Sequence, residues 1–136
     1  RRIFVMLGDG ENQEGSVWEA AMAARHHELG NLKVILDRNR IQNDDFCEVQ
    51  MRMFDIPAKW KSFGWSVKEI DGHNMNEISD GLDFLENTND GPAILIAHTI
   101  KGAGISYMEN NPSFHGAAPN DEQFHQAMVE LGEVEA

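Results

Sequence analysis

Only one cysteine, Cys47, occurs in this 136-residue chain. No internal disulfide can therefore form, which fits a reducing compartment and makes a cytoplasmic location the expectation. Basic residues are scarce as well. Eleven Lys and Arg stand against 23 Asp and Glu, a formal net charge of −12, which argues against nucleic acid or an anionic membrane as partner. No apolar run approaches the roughly 20 residues that a membrane-spanning helix needs. The opening Arg1-Arg2, a short apolar stretch and a turn at Gly8 do not make a signal peptide. The first residue is not Met and the first element already reads as a core strand, so the natural protein is expected to extend upstream. No G-x-G-x-x-G follows that strand, which makes a nicotinamide-binding domain a poor reading. Internal repeats, low-complexity tracts and convincing linkers are absent too, so residues 1–136 are expected to form one domain.

What is present alternates between two periodicities. Ile3-Phe4-Val5-Met6-Leu7 is a continuous apolar run closed by Gly8, the pattern of a strand buried on both faces. From Gln13 to Leu29, apolar residues at Val17, Ala20, Ala21, Ala24 and Leu29 take helical spacing, with Gly30-Asn31 as the expected C-cap. Leu32–Leu36 reads as a second strand ending in Asp37-Arg38-Asn39. An irregular stretch covers Arg40–Phe54, and a short helix is expected over Pro57–Phe63, stopped by Gly64. Trp65–Ile70 reads as a strand, Asn76–Glu86 as a helix and Ala93–Ala97 as a strand. A loop rich in Gly and Asn runs from Lys101 to Pro119, before a last helix capped by Asn120 or Asp121 and ending at Leu131. This order predicts an α/β fold: an open, mainly parallel sheet with helices on both faces. Ligands of such sheets sit beyond the carboxyl ends of the strands. The segments Gly8-Asp9-Gly10, Asp37-Arg38-Asn39 and the loop after His98 should therefore converge on one edge.

Two of these segments carry a chemical pattern. Gly8 and Gly10 around Asp9 permit a sharp turn and close backbone approach to a ligand, and the next helix would aim its N-terminus at the same spot. Taken alone, the same residues also suit an ordinary strand-to-helix turn. Asn39 lies thirty residues after Asp9, in the equivalent place after the next strand. A carboxylate and an amide oxygen at adjacent strand ends form a hard-oxygen pair suited to Mg²⁺ or Ca²⁺, with phosphate and water completing the shell. A metal would also explain how so acidic a chain holds an anionic ligand.

Gly8-Asp9-Gly10 followed by Asn39 resembles the thiamine diphosphate signature. The runs GDGENQEGSVWEA, LDRNRIQ, IDGH, HTIKGAG and MENNPSFHGAAPNDE are similar to transketolases, above all to split transketolases whose N-terminal section is a separate subunit. The likeness extends from Ile3 to Leu131. It implies the diphosphate-binding half of a thiamine diphosphate fold, acting in the transfer of a two-carbon ketol unit between sugar phosphates. It further implies Asp9, Asn39 and the Ile41 carbonyl as metal ligands, with Gly8, Gly10 and the neighbouring amides, Glu11 included, facing the diphosphate. His115 matches the family histidine that reaches the diphosphate and the reaction centre. Ile100 matches an apolar position near the thiazolium, and Glu14 a glutamate at the subunit contact. The family's pyrimidine-binding domain is not in this sequence, so a partner subunit or domain is implied, in a dimer or heterotetramer. One departure stands out. After Ile41 the family commonly has another apolar residue and then Asp-Gly, whereas this chain has Gln42, Asn43, Asp44 and Asp45, so a more polar wall beside the thiazolium is expected.

Other conspicuous residues take plainer readings. His26, His27 and His125 are expected to be structural or at the surface, and Trp18, Trp60 and Trp65 to pack or to lie at an interface. The acidic residues of the last helix read as a solvated face. His73 divides between a site residue and a turn residue, and Lys101 between a phosphate contact and a solvated side chain. Competing functions are another thiamine diphosphate enzyme, such as deoxyxylulose-phosphate synthase or a dehydrogenase E1 component, and a non-catalytic scaffold subunit.

Overall fold

The computed structural model describes residues 1–134. Strand β1 (Ile3–Gly8) leads through a 3-10 turn (Glu11–Gln13) into helix α1 (Gly15–His26) and strand β2 (Leu32–Arg38). A small hairpin, β3 (Ile41–Gln42) and β4 (Asp45–Phe46), precedes a helical turn α2 (Cys47–Gln50) and helix α3 (Ile56–Ser62). Strand β5 (Ser66–Asp71), helix α4 (Met75–Asn87), strand β6 (Ala93–His98) and helix α5 (Asp121–Glu130) follow. The main sheet has the order β1-β2-β6-β5, and all of its pairs are parallel. From β1 to β2 and on to β5 the chain advances across the sheet; from β5 it returns to β6. Right-handed crossovers must then place α4 on the face opposite α1 and α3.

The side chains obey that rule. Val34, Leu36, Ile94 and Ile96 pack against Ala21 and Ala24 of α1 and Ile56 and Trp60 of α3. Ile70, Ala93 and Leu95 pack on the other face against Leu85 of α4. The expected α/β sheet with helices on both faces is thus the observed one. The tryptophans pack, as expected. Trp60 lies 5.1 Å from Trp18 and 4.8 Å from Trp65, centroid to centroid, and its indole N–H donates to Asn12 Oδ1 at 3.1 Å.

Three expectations need correction. The run Ile3–Leu7 does not form a strand buried on both faces; Met6 is 69% and Phe4 50% exposed. Burial of a strand depends on its neighbours. Here β1 is an edge strand, while α4 lies mainly over β5 and β6. Second, α1 ends at His26 with His27 as its cap, and Glu28 rather than Gly30 takes the left-handed turn (φ 50°). Gly30 serves close approach instead, since a Cβ there would lie 2.2 Å from the Asn89 carbonyl oxygen. Third, the stretch from Arg40 to Phe54 is not irregular throughout but holds the β3–β4 hairpin and α2. One core residue had no sequence signal at all. Lys33 is fully buried in β2 and donates its amine to the Thr88 carbonyl at the end of α4, where a helix terminus favours a cation.

The strand register brings Gly8 beside Asp37, and places Arg38 and Asp71 beside His98. The three segments singled out by the sequence therefore do meet on the carboxyl edge.

Candidate functional site

The site grows from the turn after β1. Gly8 closes the strand with its N–H on Glu11 Oε2 at 2.8 Å, so this amide is occupied by a side chain of the same turn. Gly10 opens the 3-10 turn, which stands between it and α1. Helix α1 starts at Gly15, two residues beyond the expected start at Gln13. A Cβ at Gly10 would come within 3.3 Å of Gln42 Cβ, so its absence keeps open the gap between this turn and the hairpin.

Asp9 is 4% exposed. Its Oδ1 accepts from Arg38 Nη1 at 2.7 Å and its Oδ2 from the backbone N–H of Arg40. Arg40 can present that N–H because it adopts a left-handed conformation, φ 67°. Burial pushes the Asp9 carboxyl above the usual carboxylate range, against the opposing pull of the Arg38 charge and the Arg40 N–H. Arg38 loses hydration as well, yet Asp9 and Glu48 hold its guanidinium above the ordinary arginine value.

Between those two arginines sits Asn39. Its amide nitrogen donates to Asp37 Oδ2 at 3.1 Å and its Oδ1 accepts the Ile41 N–H at 3.0 Å. Asp37 is itself tied to β6 by the Thr99 hydroxyl. Because an ionised Asp37 can only accept, it selects the NH₂ end of Asn39 and turns the amide oxygen the other way. The hairpin disposes the next group. Cys47 N–H donates to the Arg40 carbonyl at 2.8 Å, and Ile41 lies opposite Phe46. Hydrogen-bonded and non-bonded pairs alternate in an antiparallel ladder, so the Ile41 carbonyl points away from β4.

Asp9, Asn39 and Ile41 line one cavity of about 560 Å³, together with Gly8, Gly10, Glu11, Glu14, Gln42, Asn43, Lys101 and His115. Carboxylates outnumber the basic groups there, so an anionic ligand needs a cation between itself and the protein. The oxygen set fits such a cation: one carboxylate, one amide oxygen and one outward carbonyl, the sparse protein ligation that magnesium takes when phosphates complete its shell. Among the described residues no group of three or more His, Cys, Asp or Glu side chains is placed to hold a metal without such help.

Nearly all the residues chosen from sequence are brought together, with Glu14 at the exposed rim and His115 arriving from the long loop through the 3-10 turn Pro112–Phe114. Ile100 is the exception. It lines an adjacent apolar groove with Met6, Ile35, Leu82 and Leu95; Asp37, Asn39 and Lys101 border both that groove and the cavity. His73 also gains a definite place: its Nε2 accepts the Ile100 N–H at 2.8 Å and so fixes the start of the loop. Gln42 and Asn43 also line the cavity. Sequence reasoning left Asp37, Arg38 and Thr99 without roles of their own. All three stood within the motifs, Asp37 and Arg38 in LDRNRIQ and Thr99 in HTIKGAG. Among the described residues, no helix is long and apolar enough to cross a membrane.

Comparison with known proteins points the same way. Residues 1–135 match the family model described as transketolase, thiamine diphosphate binding domain. An apulose-4-phosphate transketolase subunit of Phocaeicola vulgatus is 41% identical over 132 residues, covering 97% of this chain and 47% of that protein. A 6-deoxy-6-sulfo-D-fructose transketolase subunit of a Clostridium species is 35% identical over 129 residues, covering 95% of this chain and again 47% of that protein. The transketolase of Homo sapiens is 38% identical over 115 residues, 85% of this chain and 18% of that one. Among solved structures, the transketolase of Campylobacter jejuni superposes with a TM-score of 0.90 at 28% identity, covering 97% of this chain and 21% of that chain. The chain thus spans about half the length of these subunit relatives.

Proposed function

The chain belongs to the transketolase family as its thiamine diphosphate-binding domain, and from that premise we propose that it forms the diphosphate- and metal-binding half of a transketolase-type enzyme. The reading rests on one observation above all: Asp9, Asn39 and Ile41 line a single cavity in which carboxylates outnumber basic groups. Asp9, Asn39 and Ile41 would hold Mg²⁺, or Ca²⁺ in its place, and Gly10 would let the backbone approach the diphosphate. Thiamine diphosphate, when bound, supplies the carbanion chemistry that C–C cleavage requires.

The residues of this chain bind and orient. Asp37 and Thr99 hold Asn39 in the facing it needs, and Arg38 and Arg40 hold Asp9. His115 and Lys101, the basic side chains on the cavity wall, would contact anionic oxygens of cofactor or substrate. Ile100, in the neighbouring groove, would border the thiazolium side. Glu14, exposed at the rim, would meet the partner. Catalysis would require a pyrimidine-binding domain or subunit seated on this edge, in a dimer or heterotetramer, with sugar phosphates as substrates. The subunit relatives differ among themselves in the substrate their names state, and the polar Gln42-Asn43 wall is where this chain's own donor would be selected.

The test is reconstitution. The chain, a candidate pyrimidine-binding partner, Mg²⁺ and thiamine diphosphate are assayed for ketol transfer from ketose phosphates, with pyruvate as the competing donor. Transfer from a ketose phosphate only when both proteins are present supports the proposal. Normal rates from the chain alone, or a preference for pyruvate, would overturn it. A preference for pyruvate is what the synthase and dehydrogenase readings expect.

A further inference from the structure

Arg38 is not among the oxygen donors of the site, yet it is the side chain most closely engaged with them. Its Nη1 donates to the buried Oδ1 of Asp9 at 2.7 Å, while its Nη2 donates to Glu48 Oε1 at 3.0 Å. The three groups differ in environment: the Asp9 side chain is 1% exposed, that of Arg38 12% and that of Glu48 43%. One guanidinium therefore spans two carboxylates, one sealed in the protein and one on the half-exposed helical turn α2.

A buried carboxylate needs a counter-charge, and removing the partner of a buried pair is costly because the remaining charge is uncompensated. A divalent cation seated on Asp9 would supply that counter-charge itself and would repel the guanidinium at close range. Arginine cannot shed its charge to escape the conflict. The second carboxylate offers it another partner without leaving its place.

We propose that Arg38 is the resident counter-cation of Asp9: a positioning residue that holds the carboxylate ready in the metal-free protein and limits metal affinity by competing for it, with Glu48 drawing it aside. This inference rests on the metal-site reading above and deepens it. Two substitutions should then move metal affinity in opposite directions. Arg38→Met keeps much of the side chain's bulk and removes its charge, so the metal becomes the main counter-charge of Asp9. Glu48→Gln leaves Asp9 as the only carboxylate on Arg38 and strengthens the competition.

The measurement is calorimetric titration of Mg²⁺ into the full chain with thiamine diphosphate at one fixed concentration, beside thermal melting of the metal-free protein. Arg38→Met is expected to lower the metal-free melting temperature by about 4 °C or more and to tighten Mg²⁺ binding roughly threefold or more. Glu48→Gln is expected to weaken Mg²⁺ binding about twofold or more. A merely structural Arg38 would lower the melting temperature without tightening the metal. Unchanged or weaker binding in Arg38→Met, or tighter binding in Glu48→Gln, would overturn the inference; if Arg38→Met fails to fold, the sign for Glu48→Gln decides it. Should wild-type binding persist in Asp9→Asn, or be absent altogether, the metal-site reading falls and takes this inference with it. Binding lost in Asp9→Asn but indifferent to Arg38 and Glu48 would overturn this inference alone.

Discussion

The amide nitrogen of Asn39 donates to Oδ2 of Asp37 at 3.1 Å, and this bond decides which end of the Asn39 side chain faces the Ile41 backbone. Asp37→Asn replaces an obligate acceptor by a group that can also donate, so the facing of Asn39 is no longer imposed. Groups that orient metal ligands are commonly worth about 10–100-fold in metal affinity. Metal-dependent binding of thiamine diphosphate is expected to weaken within that range, with the far-ultraviolet circular dichroism unchanged. Full affinity in Asp37→Asn would contradict the orienting role.

Arg40 carries a backbone cost rather than a side-chain contact. Its φ of 67° is the region where a residue with a Cβ is strained by about 1–3 kcal/mol, and the strain is retained because this conformation aims its N–H at Asp9. Arg40→Gly should melt no lower than wild type, the relief offsetting the greater freedom of the unfolded glycine. Arg40→Val should lose about 1–3 kcal/mol by urea denaturation and bind the cofactor more weakly.

Two glycines should separate folding from binding. At Gly30 a Cβ would meet the Asn89 carbonyl oxygen at 2.2 Å, and backbone cannot swing aside as a side chain can. Gly30→Ala is therefore expected to cost about 1–3 kcal/mol of stability and leave cofactor affinity of the folded protein unaltered. At Gly10 the contact is milder, 3.3 Å to Gln42 Cβ. Gly10→Ala should fold almost normally but lose affinity, because the methyl group fills the gap between the turn and the hairpin.

Cys47 gives the pH dependence. Burial, with the negative charge of Asp9 behind it, pushes the thiol up from 9.0 to about 11. Between those values the folded chain keeps a proton that the unfolded chain releases, so this residue's contribution to stability falls as pH rises through the window. Wild type should lose more stability between about pH 8 and about pH 10.5 than Cys47→Ala, measured by urea midpoints. At about pH 8 the native thiol should react with a thiol-specific reagent far more slowly than in urea. Equal rates would contradict its burial.

The alternation of strands and helices was legible because each element carries its own period, and Asn120, one of the two residues expected to cap the last helix, is its N-cap. The meeting of Asp9 and Asn39 was legible for a topological reason: parallel strands joined by a helix bring their carboxyl ends side by side. What escaped depends on partners distant in the chain. The exposure of Met6 follows from the edge position of β1, which its apolar run does not encode. Arg38 and Glu48 had no visible link to Asp9 until the hairpin folded α2 against the end of β2. His73 looked divided between turn and site because its partner, the Ile100 N–H, lies 27 residues away. Ile100 itself falls in the neighbouring groove because the side chains bordering each cavity depend on the path of the loop, which no periodicity sets.

Calorimetric titration of thiamine diphosphate into the chain, with and without Mg²⁺, and repeated with Asp9→Asn, reaches the centre of the account. The expected result is heat of binding only when the metal is present, lost in the variant while its fold persists. Binding of equal strength without metal, or undiminished in Asp9→Asn, would contradict it.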